Sequence, residues 1–516
     1  MATATAQQGL GDPTSDKAFF GHPRGLATLF FSEMWERFSY YGMRGFLLLY
    51  MTASASVGGM GLDAATAAPI YGMYTSMVYL ANLPGGWVAD RLIGQRRAVL
   101  YGGILIAAGH FSLAIATAGM FYMGLMLIVL GTGLLKPNIS VIVGQLYPQK
   151  DVRRDAAFSL FYMGINLGAF LGPLITGYLA QNDGFRARLT GWGMDPNSAW
   201  HWGFGAAGVG MTLGLIQYVL GARALGTAGL KTASTGDAAK DAQMRSRALM
   251  ILGGGVVALV LFGAGIASGI LPLAIQNIVD AYTWILFGIT FAFFGWLFFG
   301  STWTDAERKR LYLIVVFFVA AAMFWAVFEQ AGSTLNLFAD RSTRNVAFGW
   351  EFPSSWWQVV NAMFIFILAP VFAWLWVRLG KNDPSTPTKF AVGLIGVGLG
   401  FLVLVPGAQI ALTGAKVGVG WLFMVYLIHT VAELCLSPVG LSAMTKLAPA
   451  RIVSQMMGVW FLGASIGNFL GGQAASFYET MELPTLLMAV AVLPIIAGIV
   501  MLAVRKPFTR LGGDAL

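Results

Sequence analysis

The segment LATLFFSEMWERFSYYGMRGFLLLYMT, residues 26–52, makes two demands that pull against each other. It is long and apolar enough to cross about 30 Å of hydrocarbon, yet it carries Glu33, Glu36, Arg37 and Arg44 within that length. A charge near the centre of a bilayer costs at least about 2.5–3.5 kcal/mol, so each one faces a cavity or a partner. Counted from Glu33, the offsets of 3, 4, 7 and 11 to Glu36, Arg37, Tyr40 and Arg44 fall within a helical stripe of roughly 100°. One face of this helix is therefore polar. A structural salt-bridge cluster satisfies that pattern. A proton relay also does, because two acids three residues apart beside one arginine repel unless one is protonated or paired elsewhere.

The rest of the chain has the same character. Of its 516 residues 57% are hydrophobic and 11% charged, where a soluble protein carries about a quarter charged residues. That excludes a large soluble enzyme and a disordered scaffold. Apolar runs recur at 26–52, 68–91, 97–118, 120–147, 156–181, 201–221, 248–271 and 280–300. Six more come at 311–338, 356–378, 389–412, 417–447, 452–477 and 484–504. The expectation is an all-α polytopic membrane protein with fourteen transmembrane helices in a 6 + 2 + 6 arrangement. Residues 1–23 have no apolar core and read as a polar lead-in, not a signal peptide. The single cysteine, Cys435, excludes an intramolecular disulfide and reads as a small buried side chain. No nucleophile–base pair, phosphate loop or metal-ligand spacing stands out, so the chain reads as no enzyme, with neither metal nor cofactor.

Orientation follows from the Lys/Arg bias of the loops. On one side lie Lys17, Arg24, Arg91, Arg96, Arg97, Lys150, Arg153, Arg154, Arg223, Lys231, Lys240, Arg245 and Arg247. Arg308, Lys309, Arg310, Arg378, Lys381, Lys389, Lys446, Arg451, Arg505, Lys506 and Arg510 fall on the same side. The other side holds only Arg186, Arg188, Arg341, Arg344 and Lys416. Both termini are thereby placed in the cytoplasm, and the net charge of +9 needs no nucleic-acid partner. The expected organisation is a lead-in at 1–25, a six-helix bundle at 26–222 and a cytoplasmic linker at 223–247. Two additional helices at 248–300, a second bundle at 301–505 and a tail at 506–516 complete it.

An internal repeat supports the two bundles. Numbering only the twelve spans outside the additional pair at 248–300, Gly164, Gly168 and Gly172 in the fifth span match Gly463, Gly467 and Gly471 in the eleventh at a constant offset of 299, as do Phe170 with Phe469 and Leu171 with Leu470. Pro137 and Pro148 are spaced like Pro438 and Pro449. Small residues four apart permit close helix packing, and the shared offset argues for duplication. Duplicated halves flanking a midplane site are the architecture of a transporter.

The basic residues left over once the loops are assigned, Arg37, Arg44 and Lys136, lie inside spans, as do Glu329 on the seventh and Glu433 on the tenth. Cations on one half and acids on the other suit a substrate carrying both a carboxylate and an amine. A Glu329 whose basic partner is engaged by substrate can change protonation during a cycle. Trp325, one turn before Glu329, and Tyr79 are placed near the cavity. His110 and His429 read as hydrogen-bonded packing residues, and Asp90 with Arg91 as a gate or packing pair at a helix end.

These residues resemble the proton-coupled oligopeptide transporter family, a branch of the major facilitator superfamily. Residues 33–42 fit its ExxERFxYYG signature. PGGWVADRLIGQRRAVL (84–100), FSLFYMGINLGAF (158–170), FWAVFEQAGSTLNLFA (324–339) and VAELCLSPVGLSAMTKLAP (431–449) resemble further blocks. The likeness runs from about residue 24 to 505 and includes the additional helix pair typical of bacterial members. It implies import of di- and tripeptides with protons across a bacterial inner membrane, by a protein functional as a monomer. It also implies that Arg44 and Lys136 face the peptide carboxylate, and that Glu433, Asn166 and Asn361 face the amino end and backbone. Tyr41 and Tyr79 line the pocket by the same likeness. Glu33, Glu36 and Arg37 serve proton movement, and Glu329 exchanges a gate salt bridge with Arg44 for a proton. Ala362 stands where the family commonly has proline.

Two other readings fit part of the pattern. One is a superfamily symporter for another small solute, such as nitrate or an amino acid; a pure anion site has no use for Glu433. The other is a membrane receptor that binds peptide without moving it, to which the Glu33/Glu36/Arg37 stripe would be superfluous.

Overall fold

The computed structural model describes residues 16–512 except 149–150, 231, 233, 235, 272–273, 301 and 450–451. Most of the lead-in, the end of the tail, and Lys150, Lys231 and Arg451 therefore lie outside the described residues. The elements are α1 (Arg24–Thr52), α2 (Ala64–Leu80), α3 (Asn82–Val88), α4 (Gln95–Leu113), α5 (Ala118–Gln145), α6 (Arg153–Gln181), α7 (Asp183–Gly191), α8 (Ala199–Gly221) and α9 (Ala238–Ala267). They continue as α10 (Ile275–Phe299), α11 (Asp305–Phe328), α12 (Thr334–Arg341), α13 (Trp357–Leu379), α14 (Thr386–Leu412), α15 (Gly420–Leu447), α16 (Val453–Ala475), α17 (Leu483–Ala503) and α18 (Arg505–Gly512). A two-strand hairpin, β1 (Val346–Ala347) with β2 (Trp350–Glu351), is tucked between α12 and α13. Among the described residues, ten helical segments are long and apolar enough to cross a membrane.

Two spans expected as single helices are interrupted, each for a local reason. The second span stops at Leu80 and restarts as α3, which runs into a π turn at Ala89–Ile93. Pro84 lacks an N–H and its ring clashes with the carbonyl four residues earlier, that of Leu80, where α2 ends. The seventh span gives way after Phe328 to a 3-10 turn, Glu329–Gly332, before α12 begins. The eighth span crosses Ala362 without a break, and its internal proline is Pro370. The expected linker, 223–247, has structure of its own. Its first part is strapped by Arg96, which donates to the carbonyls of Ala228 (2.6 Å) and Gly226 (2.5 Å), and α9 already starts at Ala238.

The chain forms two compact units. Among the described residues, one falls within 16–40, 80–172 and 204–278, and the other within 41–79, 173–203 and 279–512. In the first, α4 packs on α5. A Cβ added at Gly164 would lie 3.0 Å from the Phe30 carbonyl, and one at Gly168 would run into that of Met34. In the second, α11 packs on α16 and α14 on α15 and α17. There a Cβ at Gly467 would lie 2.5 Å from Trp325 Cβ and 2.8 Å from the Ala322 carbonyl. The matching glycine stripes thus seat the fifth span on the first and the eleventh on the seventh. The additional pair is also tied in: Tyr282 on α10 is hydrogen-bonded to Ser76 (2.7 Å), which meets Ser465 (2.8 Å).

Gly467→Val should destabilise the detergent-solubilised protein by about 1–3 kcal/mol through overpacking. Gly463→Ala, whose Cβ would meet Phe318 at an ordinary 3.5 Å, should leave the thermal transition in place.

Candidate functional site

The ionic residues read from the sequence fall into two groups, one in each unit. In the first unit α1 places Glu33, Glu36 and Arg37 one turn apart, all buried. Arg37 Nε lies 3.0 Å from Glu33 Oε1 and also pairs with Glu36, and its guanidinium sits 5.4 Å from the Tyr40 ring centroid. One arginine cannot neutralise two carboxylates. Half-buried Lys136 on α5 supplies the second cation, close enough to act on Glu36. The cluster is thereby neutral with every group ionised. Glu33 Oε2 and Glu36 Oε1 have no hydrogen-bond donor among the described residues. Asn166, in the same unit, donates to the Tyr162 carbonyl of its own helix (3.0 Å).

The second unit assembles the remainder. Its centre is Arg44, buried on α1, whose Nη2 pairs with the Glu329 carboxylate. Glu329 is positioned by the 3-10 turn, and that turn is fixed on every side. Gln330 donates to the Ala326 carbonyl (3.0 Å) and accepts from Thr334 (2.7 Å). Gln358 donates to the Ala331 carbonyl (2.6 Å). Asn336 on α12 reaches back to the Gly45 carbonyl (2.8 Å), beside Arg44. Arg44 Nε donates to the Tyr71 hydroxyl at 2.7 Å, and the Tyr41 ring lies 5.9 Å from the guanidinium. Nearby, Asn361 on α13 donates to both Thr430 (3.0 Å) and Glu433 (3.0 Å) on α15. Trp325 and Tyr79 are half-buried in this unit.

A further ionic contact lies between loops of the same unit. Glu479, between α16 and α17, accepts from the first N–H of α2 (Ala64, 2.9 Å) and pairs with Arg341 (2.5 Å). Desolvation pushes its pKa up, but the Ala64 N–H and Arg341 outweigh this and hold it below the usual carboxylate range. It therefore stays ionised at neutral and mildly acid pH, and the contact is lost only as pH falls through that lowered value.

A profile of the POT family matches residues 96–489. The chain belongs to the POT family. It is 40% identical over 511 residues to the peptide transporter YePEPT of Yersinia enterocolitica, covering 96% of each chain. To a di-/tripeptide transporter of Lactococcus lactis it is 36% identical over 512 residues, covering 97% of this chain and 98% of the relative. Among solved structures it resembles a mutant peptide transporter POT in complex with alafosfalin, with TM-score 0.86, 40% identity, and coverage of 98% and 99%. It also resembles a POT family transporter in complex with 5-aminolevulinic acid, with TM-score 0.84, 33% identity, and coverage of 96% and 98%.

For this POT family chain, sequence reasoning missed Tyr71, Gln358 and Gly332. A tyrosine in an apolar helix reads as packing, and only the polar run from Glu329 to Ser333 hinted at a broken helix. The histidines divide. His429 is buried against Phe401 and bonded to the Val397 carbonyl (3.1 Å). His110 is buried with neither ring nitrogen hydrogen-bonded among the described residues, so the expected bond is absent there. Asp90 is exposed and accepts from Gln95 (2.8 Å). Cys435 is buried.

Removing one member of a buried pair strands the other, at about 3–5 kcal/mol. Arg44→Gln should lower thermal stability by that order. The double variant with Glu329→Gln should recover most of the loss, read as coupling in a double-mutant cycle of unfolding in detergent.

Proposed function

We propose that this chain is a proton-coupled symporter importing di- and tripeptides by alternating access, a multi-pass protein of the bacterial inner membrane. One observation carries the reading: Arg44 from the first span and Glu329 from the seventh form a buried ion pair in a chain that belongs to the POT family. The two residues come from different halves of the duplicated chain, so their pairing holds the halves together on the outer side. A proton on Glu329 cancels its charge and releases Arg44. Fourteen spans in a 6 + 2 + 6 order, with both termini in the cytoplasm, put the Glu479–Arg341 contact on that same side.

Substrate recognition follows from the charges. Arg44 and Lys136 serve the peptide carboxylate. Glu433, held by Asn361 at 3.0 Å, serves the amino end, and Asn166 and Asn361 the backbone. Tyr41, Tyr79 and Trp325 line the pocket. A family relative bound to 5-aminolevulinic acid supports this assignment, since that molecule has an amine at one end and a carboxylate at the other. Glu33, Glu36 and Arg37 pass the proton, which is the only coupling species invoked, and the chain works as a monomer. An inside-negative potential of about 100 mV supplies about 2.3 kcal/mol per proton, enough for up to about fiftyfold accumulation.

The test is uptake of labelled dialanine into proteoliposomes under an imposed inward proton gradient. Acidification outside and a negative potential inside should each raise accumulation; indifference to both contradicts symport. Glu329→Gln should abolish uphill uptake and keep peptide counterflow, whereas equal loss of both would make Glu329 a folding or binding residue.

A further inference from the structure

The environment of Arg44 contains one partner for which the exchange with Glu329 has no use. A guanidinium carries five N–H donors in a rigid planar fork. Here two neighbouring donors go to different acceptors: Nη2 to the ionisable Glu329, and Nε to the neutral hydroxyl of Tyr71 at 2.7 Å. Tyr71 is buried on α2, which Asp63 and Glu479 anchor at its first turn. A Cβ built at Gly332, the last residue of the 3-10 turn, would collide with the Tyr71 hydroxyl and lie 3.3 Å from Arg44 Nε. No positive φ explains that glycine; space for the hydroxyl does.

We propose that Tyr71 is a positioning residue of the gate, holding the Arg44 guanidinium in one orientation whether Nη2 faces Glu329 or a substrate carboxylate, and that Gly332 is glycine to leave its hydroxyl room. The inference rests on the reading of Arg44–Glu329 as a proton-operated gate. While Glu329 is charged, both acceptors hold the fork. Once Glu329 takes a proton, Tyr71 still holds Nε, so the cation is not stranded and Nη2 stays presented. Without the hydroxyl, Nε loses its 2.7 Å acceptor, and once the carboxylate is released Nη2 keeps the longer contact to the Glu329 carbonyl (3.5 Å), so the charged pair becomes harder to break. The other groups facing the pair are the ring of Tyr41 on α1, Tyr426 and Glu433 on α15, and the neutral amide of Gln358 on α13.

The experiment measures dialanine uptake against pH in proteoliposomes for Tyr71→Phe, Gly332→Ala and Glu329→Gln, each matched for the amount of folded protein. Tyr71→Phe should move the midpoint of the pH profile to the acid side by about one unit, with a raised KM and with counterflow at saturating peptide retained. Gly332→Ala leaves Tyr71 in place but pushes its hydroxyl off Arg44, so it should reproduce the shift. A uniform fall in rate with an unmoved midpoint in both variants overturns the assignment. The comparator separates the two ideas. If Glu329→Gln flattens the profile while Tyr71→Phe leaves it unshifted, only the role of Tyr71 falls; if Glu329→Gln keeps the wild-type profile, the gate reading itself fails.

Discussion

A guanidinium buried between helices has to be answered donor by donor, and the architecture around Arg44 is that answer. The helix carrying Glu329 unwinds into a 3-10 turn at the residue that must meet the cation, and three side-chain amides, Gln330, Gln358 and Asn336, fix that turn and the start of α12. Tyr71 takes the neighbouring donor, and Gly332 gives up its side chain to admit it. Each of these features costs regular helix or apolar packing. All become intelligible once the charge they serve is recognised.

Two ionic contacts of the second unit differ in chemistry. Glu479 sits at a loop, held by a helix-end N–H and Arg341, and its lowered pKa keeps it charged through mild acid. Glu329 is enclosed with Arg44. A contact that ignores mild acid suits a structural clasp, whereas a buried pair between helices is where a proton can decide between closed and open. In the first unit Lys136 changes the charge balance of the Glu33/Glu36/Arg37 cluster, since it supplies the cation that one arginine lacks.

Much of this was legible in the sequence because charges are scarce in a chain that is 57% hydrophobic. Glu33, Glu36, Arg37, Arg44, Lys136, Glu329 and Glu433 stand out by solvation cost alone, and the Arg44–Glu329 pairing and the Asn361–Glu433 contact join residues that the family resemblance had already named. The glycine repeat also carried true packing information, since its two copies seat equivalent helices. The hidden part was neutral and context-dependent. A tyrosine hydroxyl such as that of Tyr71 costs little to bury and leaves no trace in hydropathy, and a glycine such as Gly332 is one of 66. Breaks in helices were missed: both interrupted spans read as single helices, although Pro84 and the polar run from Glu329 to Ser333 are local signals for them.

The central claim is that protonation of Glu329 releases the closure of the outer side. Distance measurement between spin labels tests it directly, with cysteines placed at exposed Val57 and at exposed Phe348 on the hairpin; the native Cys435 is buried and stays unlabelled. Acidification should increase the population of longer distances in the wild-type background, and Glu329→Gln should show that population already at neutral pH. A distance distribution that neither acid nor Glu329→Gln changes would contradict the account.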